Sequence, residues 1–440
     1  MSPNGPKKGW VRGQGVFNDE APNFSKDYTA AIAGLDIPII SHEIGQYSVF
    51  PDMQEIARYK GNLLPQNMIG IRNDLTKKAM LQLAPAYLKA TGKFATLLYK
   101  EEIERAYKTK GFDGFQLLQL QDFPGQGTAL VGLLNAFWEA KGFLTPAAFR
   151  QYCSELTPLL RFPKAIYTNA ETFNATIELA NFYKPLPNAV LRWTIKDNKG
   201  AVLKTGTTTS RQYPIGNCLP AGEINYNLSA VSLARQLTVE VAVAGTSYRN
   251  EWHIWVYPAA LPGNNKDVLV TSAVDQALQA LQQGRKVLLC PLPDTLKGIT
   301  GKFVPVFWSP VHFPNQPGTM GLLINEQHKA LASFPTSFHS DWQWWDLAIH
   351  SKTLVADSLP QQAIIVRVID NFVRNHHLTN LFEAKVGKGS LIVSAIDILS
   401  NLDQRPQARQ LRYSLLQYMN SPAFKPQVNV QPATIQNYFK

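Results

Sequence analysis

At 440 residues the chain is long enough for two to four domains with sizeable cores. A hydrophobic content of 45% against 17% charged residues excludes a disordered chain. The net charge of +11 comes from scattered Lys and Arg with no run of five, which does not point to a nucleic-acid-binding face.

Cys153, Cys218 and Cys290 are odd in number and far apart, so they indicate neither a disulfide framework nor a zinc ligand set. The eight histidines show no metal spacing with nearby acids, and no metal site is expected. The first residues, MSPNGPKKGWVRGQG, lack an apolar h-region, and no stretch approaches the roughly 18 apolar residues of a membrane span. As written, the chain carries no classical export signal.

Residues 1 to 22 are rich in Gly, Pro and Asn and read as a loop. Within them Asp19 and Glu20 read as caps of the following helix or as rim residues. Residues 37 to 47, IPIISHEIGQY, follow. Ile37, Pro38, Ile39 and Ile40 end in Ser41, His42 and Glu43, a short apolar run before polar residues. That pattern predicts a buried parallel strand whose C-terminal end opens into a site. Glu43 is there either to do chemistry or to pair with a local Arg or Lys. About residues 73 to 110 have amphipathic helical spacing. A second strand, Phe115 to Leu120, then ends in Gln119, Gln121 and Asp122, and a Gly-rich loop (Pro124 to Gly127) leads into a segment predicted helical through Trp138. Strand, helices, strand is the grammar of a parallel sheet or barrel.

ISHEIGQY followed by GFQLLQLQDFPGQGTALVG resembles the last two barrel strands of glycoside hydrolase family 2-type, β-galactosidase-like enzymes, over roughly residues 10 to 155. The resemblance implies a (β/α)₈ barrel domain and a retaining glycosidase that needs no cofactor. Glu43 matches the nucleophile at the end of the seventh strand. His42 and Tyr47 would hold it ionised and oriented, and Gln119, Gln121 and Asp122 would line the sugar subsite. The family's acid/base Glu sits at the end of the fourth strand, typically about a hundred residues before the nucleophile, whereas 42 residues precede Glu43 here. A whole barrel needs roughly 250 residues. The expectation is therefore a partial barrel, the C-terminal part of a longer enzyme. The family setting would place that full-length enzyme in the periplasm or outside the cell.

From Lys164 to about Pro258, short alternating strands separated by turns at Pro185 to Asn188, Asp197 to Gly200 and Pro220 to Gly222 predict an Ig-like β-sandwich. Trp193, Trp252 and Trp255 read as core rather than as a sugar-stacking platform. After the linker LPGNNK, strand and helix alternate, with strands at DVLVTS, KVLLCPLPD and GLLIN, helices at ALQALQQG, near 361 to 375 and at RPQARQLRYSLLQYM, and the pair LFEAKVGKGSLIVSAID. EAKVGKGSLIVSAID resembles the C-terminal strands of class I glutamine amidotransferase-like folds, which serve as trimerisation domains in some β-galactosidases and leave a homo-oligomer open. Cys290 precedes Pro291-Leu292-Pro293 and forms no nucleophile elbow, so this domain is expected to be non-catalytic. Trp342, Trp344 and Trp345, beside His339, Asp341 and Asp346, read either as a sugar clamp or as a packed contact. The expected modules are thus 1–163, 164–262 and 263–440. The leading function is glycoside hydrolysis, and its rival is a non-catalytic carbohydrate-binding or assembly protein.

Overall fold

The computed structural model describes Val11, Phe17 and residues 20–263, 267–316 and 318–440. Asp19 and most of the expected N-terminal loop lie outside the described residues. The protein is β-rich, with 31% strand against 24% helix, and divides into two compact units. The first comprises the described residues up to Tyr47, 95–124 and 129–259; the second comprises 48–94, 125–128 and 260–440.

In the first unit β1 (Ile40–Gly45) and β2 (Gly114–Leu118) pair in parallel, with Ser41 opposite Phe115 and Gly45 opposite Leu118. They form a two-stranded sheet, and a partial (β/α)₈ barrel is not shown among the described residues. Two parallel strands are present, but among the described residues they pair only with each other, and the first is not the buried apolar run expected: it begins at Ile40 and carries Ser41, His42 and Glu43, while Ile37 and Ile40 are exposed. The expected helix through Trp138 is also absent. Residues 129–134 instead lie against the chain just after β2, where Leu134 N–H donates to Leu120 C=O and Asp122 N–H to Leu134 C=O. Gly132 permits that approach, because a Cβ there would lie 2.2 Å from the Gln121 carbonyl carbon. The apolar run is buried as an irregular flap, which periodicity alone does not distinguish from a helix.

The sandwich follows the alternation. Strands β3 (Leu156–Arg161), β4 (Ile166–Thr168), β5 (Thr172–Asn181), β6 (Leu186–Ala189), β7 (Leu191–Asp197), β8 (Val202–Thr207), β9 (Arg211–Tyr213), β10 (Gly216–Asn227), β11 (Arg235–Val243) and β12 (Arg249–Tyr257) build it. One sheet has the order β10-β5-β3 and the other β4-β12-β11-β7-β8; β6 and β9 form a separate pair. Phe173, Ala175, Ile177 and Leu179 alternate inward on β5, as Leu237, Val239, Val241 and Val243 do on β11. Tyr167 on β4 meets Phe173 edge-on at 5.7 Å, joining the two sheets. Trp193, Trp252 and Trp255 are buried, as core residues are.

In the second unit β13 (Val268–Thr271), β14 (Lys286–Leu289), β15 (Ile299–Thr300), β16 (Leu322–Ile324), β17 (Lys352–Val355), β18 (Ile364–Val368), β19 (Leu378–Val386) and β20 (Gly389–Ser394) make one mixed sheet. Only β13, β14 and β20 are parallel, and every further pairing is antiparallel. The amidotransferase-like arrangement expected here is not shown. The helix Val274–Gln282 packs Leu278 and Leu281 onto Val287, Leu289, Leu391 and Val393. It ends at Gly284 with φ +81°, the left-handed stop that glycine accepts. The helix expected near 361–375 is instead a turn at 361–363 followed by β18. Its run Ile364-Ile365-Val366 is β-branched and wholly buried, which suits a central strand.

Cys290, just past β14, is fully buried, and burial pushes its thiol pKa up. Trp342 and Trp344 are core residues, the latter stacked edge-on against Phe334 and donating to Thr336 Oγ1 at 2.9 Å. Asp346 is taken by Arg405 at 2.8 Å. Asp341 is buried, and burial lifts its carboxyl to about 8. This cluster packs the unit's interior and forms no clamp.

Candidate functional site

β1 is irregular where it matters. The parallel register slips between Ser41 and Ile44, and Glu43 has φ +59°, a left-handed conformation that a glutamate adopts at a cost of roughly 1–3 kcal/mol. Gly45 (φ +95°) and Gln46 (φ +62°) continue the turn. Two partners hold it. Gln46 Nε2 donates to Glu43 C=O at 3.2 Å and to Glu43 Oε2 at 3.3 Å. Behind the strand, Glu102 Oε2 accepts from Gly45 N–H and from Tyr47 O–H, both at 3.0 Å.

The Glu43 side chain is 36% exposed and faces His42 Nε2 at 3.3 Å, while His42 Nδ1 meets Gln116 Oε1 at 3.0 Å. Both imidazole nitrogens therefore face oxygens, and His42, itself 70% exposed, bridges the carboxylate to β2. Tyr47 does not orient Glu43. Its hydroxyl is spent on Glu102, and burial beside that carboxylate drives its pKa up.

The expected subsite residues divide. Gln119 Nε2 is buried with no hydrogen-bond partner among the described residues, a donor in reserve. Gln121 makes a backbone bridge to Leu134. Asp122 is buried and committed: its Oδ1 accepts from Lys141 Nζ at 2.7 Å and from Gly132 N–H at 2.9 Å. Burial raises the Asp122 pKa although Lys141 and the Gly132 amide oppose it. That carboxylate ties the flap to the chain after β2 and is not available to a sugar hydroxyl. Glu20 pairs with Lys26 and caps none of the described helices.

Gln46, Glu102 and Gln116 were not among the sequence-derived candidates. Gln116 was accessible in principle, since parallel pairing of the two strands sets it beside His42. Glu102 lies 59 residues after Glu43 in a helix, and only the fold brings it under the turn. No cluster of three or more His, Cys, Asp and Glu able to hold a metal occurs among the described residues. None of the described helices is long and apolar enough to cross a membrane.

A family model described as a domain of unknown function (DUF8487) matches residues 268–440, and another (DUF8488) matches 171–258. No curated protein sequence matches the chain. Among solved structures, a β-D-mannosidase from Dictyoglomus thermophilum is similar over 52% of this chain and 28% of its own, with 14% identity and a TM-score of 0.31. A β-glucuronidase from Parabacteroides merdae is similar over 31% of this chain and 21% of its own, with 11% identity and a TM-score of 0.19. The CARDB domain of the PF1109 protein from Pyrococcus furiosus matches over 23% of this chain and 93% of its own, with 12% identity and a TM-score of 0.18. The chain spans less than a third of either glycosidase, and all three likenesses are weak.

Proposed function

We propose that the Glu43 site acts on glycosides, with Glu43 as the nucleophile of a retaining glycosidase of family 2 type. One observation carries this reading. A partly exposed carboxylate stands at the register slip within β1, one of two parallel strands, on left-handed backbone, clamped by Gln46 and flanked by His42. Such strain clusters at functional positions, and here it coincides with a partly exposed carboxylate held by two side chains.

In this mechanism a Glu43 oxygen bonds to the anomeric carbon as the glycosidic C–O bond breaks. In the family 2 mechanism a second carboxyl about 5 Å away would give its proton to the leaving oxygen, then take one from the water that releases the sugar; none of the described residues is assigned that role. Gln46 Nε2 and His42 fix which oxygen faces the sugar. The unpartnered Gln119 amide and Gln121 are the proposed partners for sugar hydroxyls. The alternative, a carbohydrate-binding module without turnover, uses the same residues.

Dinitrophenyl glycosides separate the two readings, because their leaving group departs without a proton and its first release reports on the nucleophile alone. A burst of dinitrophenol is expected, with feeble or no turnover after it, and Glu43→Gln is expected to slow the burst by roughly three orders of magnitude. Saturable glycoside binding without a burst would select the binding module. A burst indifferent to Glu43→Gln would refute Glu43 as nucleophile.

A further inference from the structure

The first unit contains a cleft of about 380 Å³ at the opposite end of the β1–β2 pair from Glu43. It lies between the end of the helix Ala84–Tyr107, the start of β2 and the turn into β3. Tyr107, Phe112, Phe115 and Phe182 line it, with Asp113 and Glu155. Tyr107 meets Phe115 edge-on at 5.7 Å and Phe182 at 6.2 Å with a 30° tilt, so three of the rings form one continuous wall. Phe182 is 46% exposed, unusual for a phenylalanine with a packed face so close by.

The polar side chains in the lining offer acceptors rather than donors. Asp113 receives Ile39 N–H at 2.7 Å, and Glu155 receives the Tyr248 hydroxyl at 2.5 Å. The Ser154 hydroxyl is spent on Leu156 C=O at 3.1 Å. Among the described residues no Lys, Arg or His lines the cleft, and Arg150 is the cation that acts on Glu155 from outside the lining. A neutral sugar or an anion would find few donors there. A cation finds two carboxylates and the electron-rich faces of aromatic rings, in a volume suited to a small molecule.

We propose that this cleft binds a small organic ammonium ion, with the aromatic wall taking its alkyl groups and Asp113 and Glu155 balancing its charge. The site is separate from the Glu43 chemistry, and its test does not depend on that reading.

Choline and its uncharged carbon isostere, 3,3-dimethylbutan-1-ol, are the probes, titrated into the whole chain with ¹⁵N–¹H NMR detection. Choline is expected to give saturable shifts at Phe115, Cys153 and Phe182, and the isostere to bind at least about tenfold more weakly. Raising the ionic strength is expected to weaken choline binding. Phe182→Ala and Glu155→Gln, both at exposed side chains and so tolerable to the fold, should each weaken it several-fold. Equal affinity for the two probes would reduce the cleft to an apolar pocket and overturn the proposal. So would absence of saturable choline shifts, or binding unchanged by both substitutions.

Discussion

Glu104→Gln is expected to destabilise the folded protein by roughly 3–5 kcal/mol, read as a fall in the urea midpoint of the first unit. Glu104 is wholly buried in the helix Ala84–Tyr107, between Lys100 and Lys108. Its oxygens also accept from Asn250 Nδ2 at 2.8 Å and from Trp252 Nε1 at 2.9 Å. Burial alone would raise this carboxyl's pKa, but the two ammonium groups and the Trp252 bond outweigh it and hold it down to about 2. Burial lowers the Lys100 pKa even so, which means the trio is costly to assemble. The expected loss is therefore the penalty of leaving the buried Lys108 and the partly buried Lys100 without their carboxylate, with only Phe24 C=O and Asn250 Oδ1 to accept from them, and not the net worth of the ion pairs.

The pH dependence has a definite sign. The folded Glu104 pKa lies below its unfolded value near 4.5, so its contribution is complete above that value and is lost as pH falls through about 2. The wild-type protein should lose on the order of 3 kcal/mol across that window through this group, and Glu104→Gln should show a flatter acid limb. An unchanged acid limb in the variant would contradict the assignment.

Gly45→Ala is the second large effect. A Cβ at Gly45 would lie 2.2 Å from Tyr99 Cε1 and 2.6 Å from its hydroxyl oxygen. Tyr99 cannot retreat easily, because it is fully buried and its hydroxyl donates to Val131 C=O at 2.8 Å. Gly45 also has φ +95°, where an L side chain is strained in any case. A loss of about 3 kcal/mol or more is expected, with disturbance of the Glu43 turn. Gly111→Ala separates the two causes: φ is +75° there, yet nothing lies within 4 Å of an added Cβ. About 1 kcal/mol is expected from that substitution. Equal losses at both positions would show that Tyr99 gives way and that the turn is held less tightly than its contacts imply.

What could be read from the chain beforehand follows from the range of the forces involved. Strand alternation is local, so the sandwich strands and the hairpin ending at Gly387 were legible. That a strand passes Ser41, His42 and Glu43 was legible, but its bounds and burial were not: it runs over Ile40–Gly45, and Ile37 and Ile40 of the apolar run are exposed. Nor were its surroundings. The same apolar run gave no means of distinguishing a barrel strand from one of a pair, since that depends on which distant strands exist to hydrogen-bond with it. The segments 129–138 and 361–375 were misassigned for a common reason. Their central runs, 129–133 and 363–372, are buried throughout, so they carry no amphipathic period, and tertiary packing decides between helix, strand and flap.

The site shows the same division. Glu43 and His42 were visible as a polar pair at a strand end. The roles of Tyr47 and Asp122 followed from the family resemblance, and their actual partners, Glu102 and Lys141, become neighbours only in the fold. Glu102 belongs to the amphipathic helical run YKEEIERAYK, in which Glu101, Glu102, Glu104, Arg105 and Lys108 are all buried, and spacing alone does not show that its charges turn inward.

The central claim, that Glu43 is a nucleophile toward glycosides, is tested most directly by covalent trapping. Dinitrophenyl 2-deoxy-2-fluoroglycosides form a glycosyl ester with a carboxylate nucleophile and then release it slowly, without help from an acid. After incubation with a panel of such sugars, peptide mass spectrometry should find one fluoroglycosyl group on Glu43, and none in the Glu43→Gln variant. A panel that leaves Glu43 unlabelled while labelling another carboxylate, or that labels the Glu43→Gln variant equally, would contradict the account.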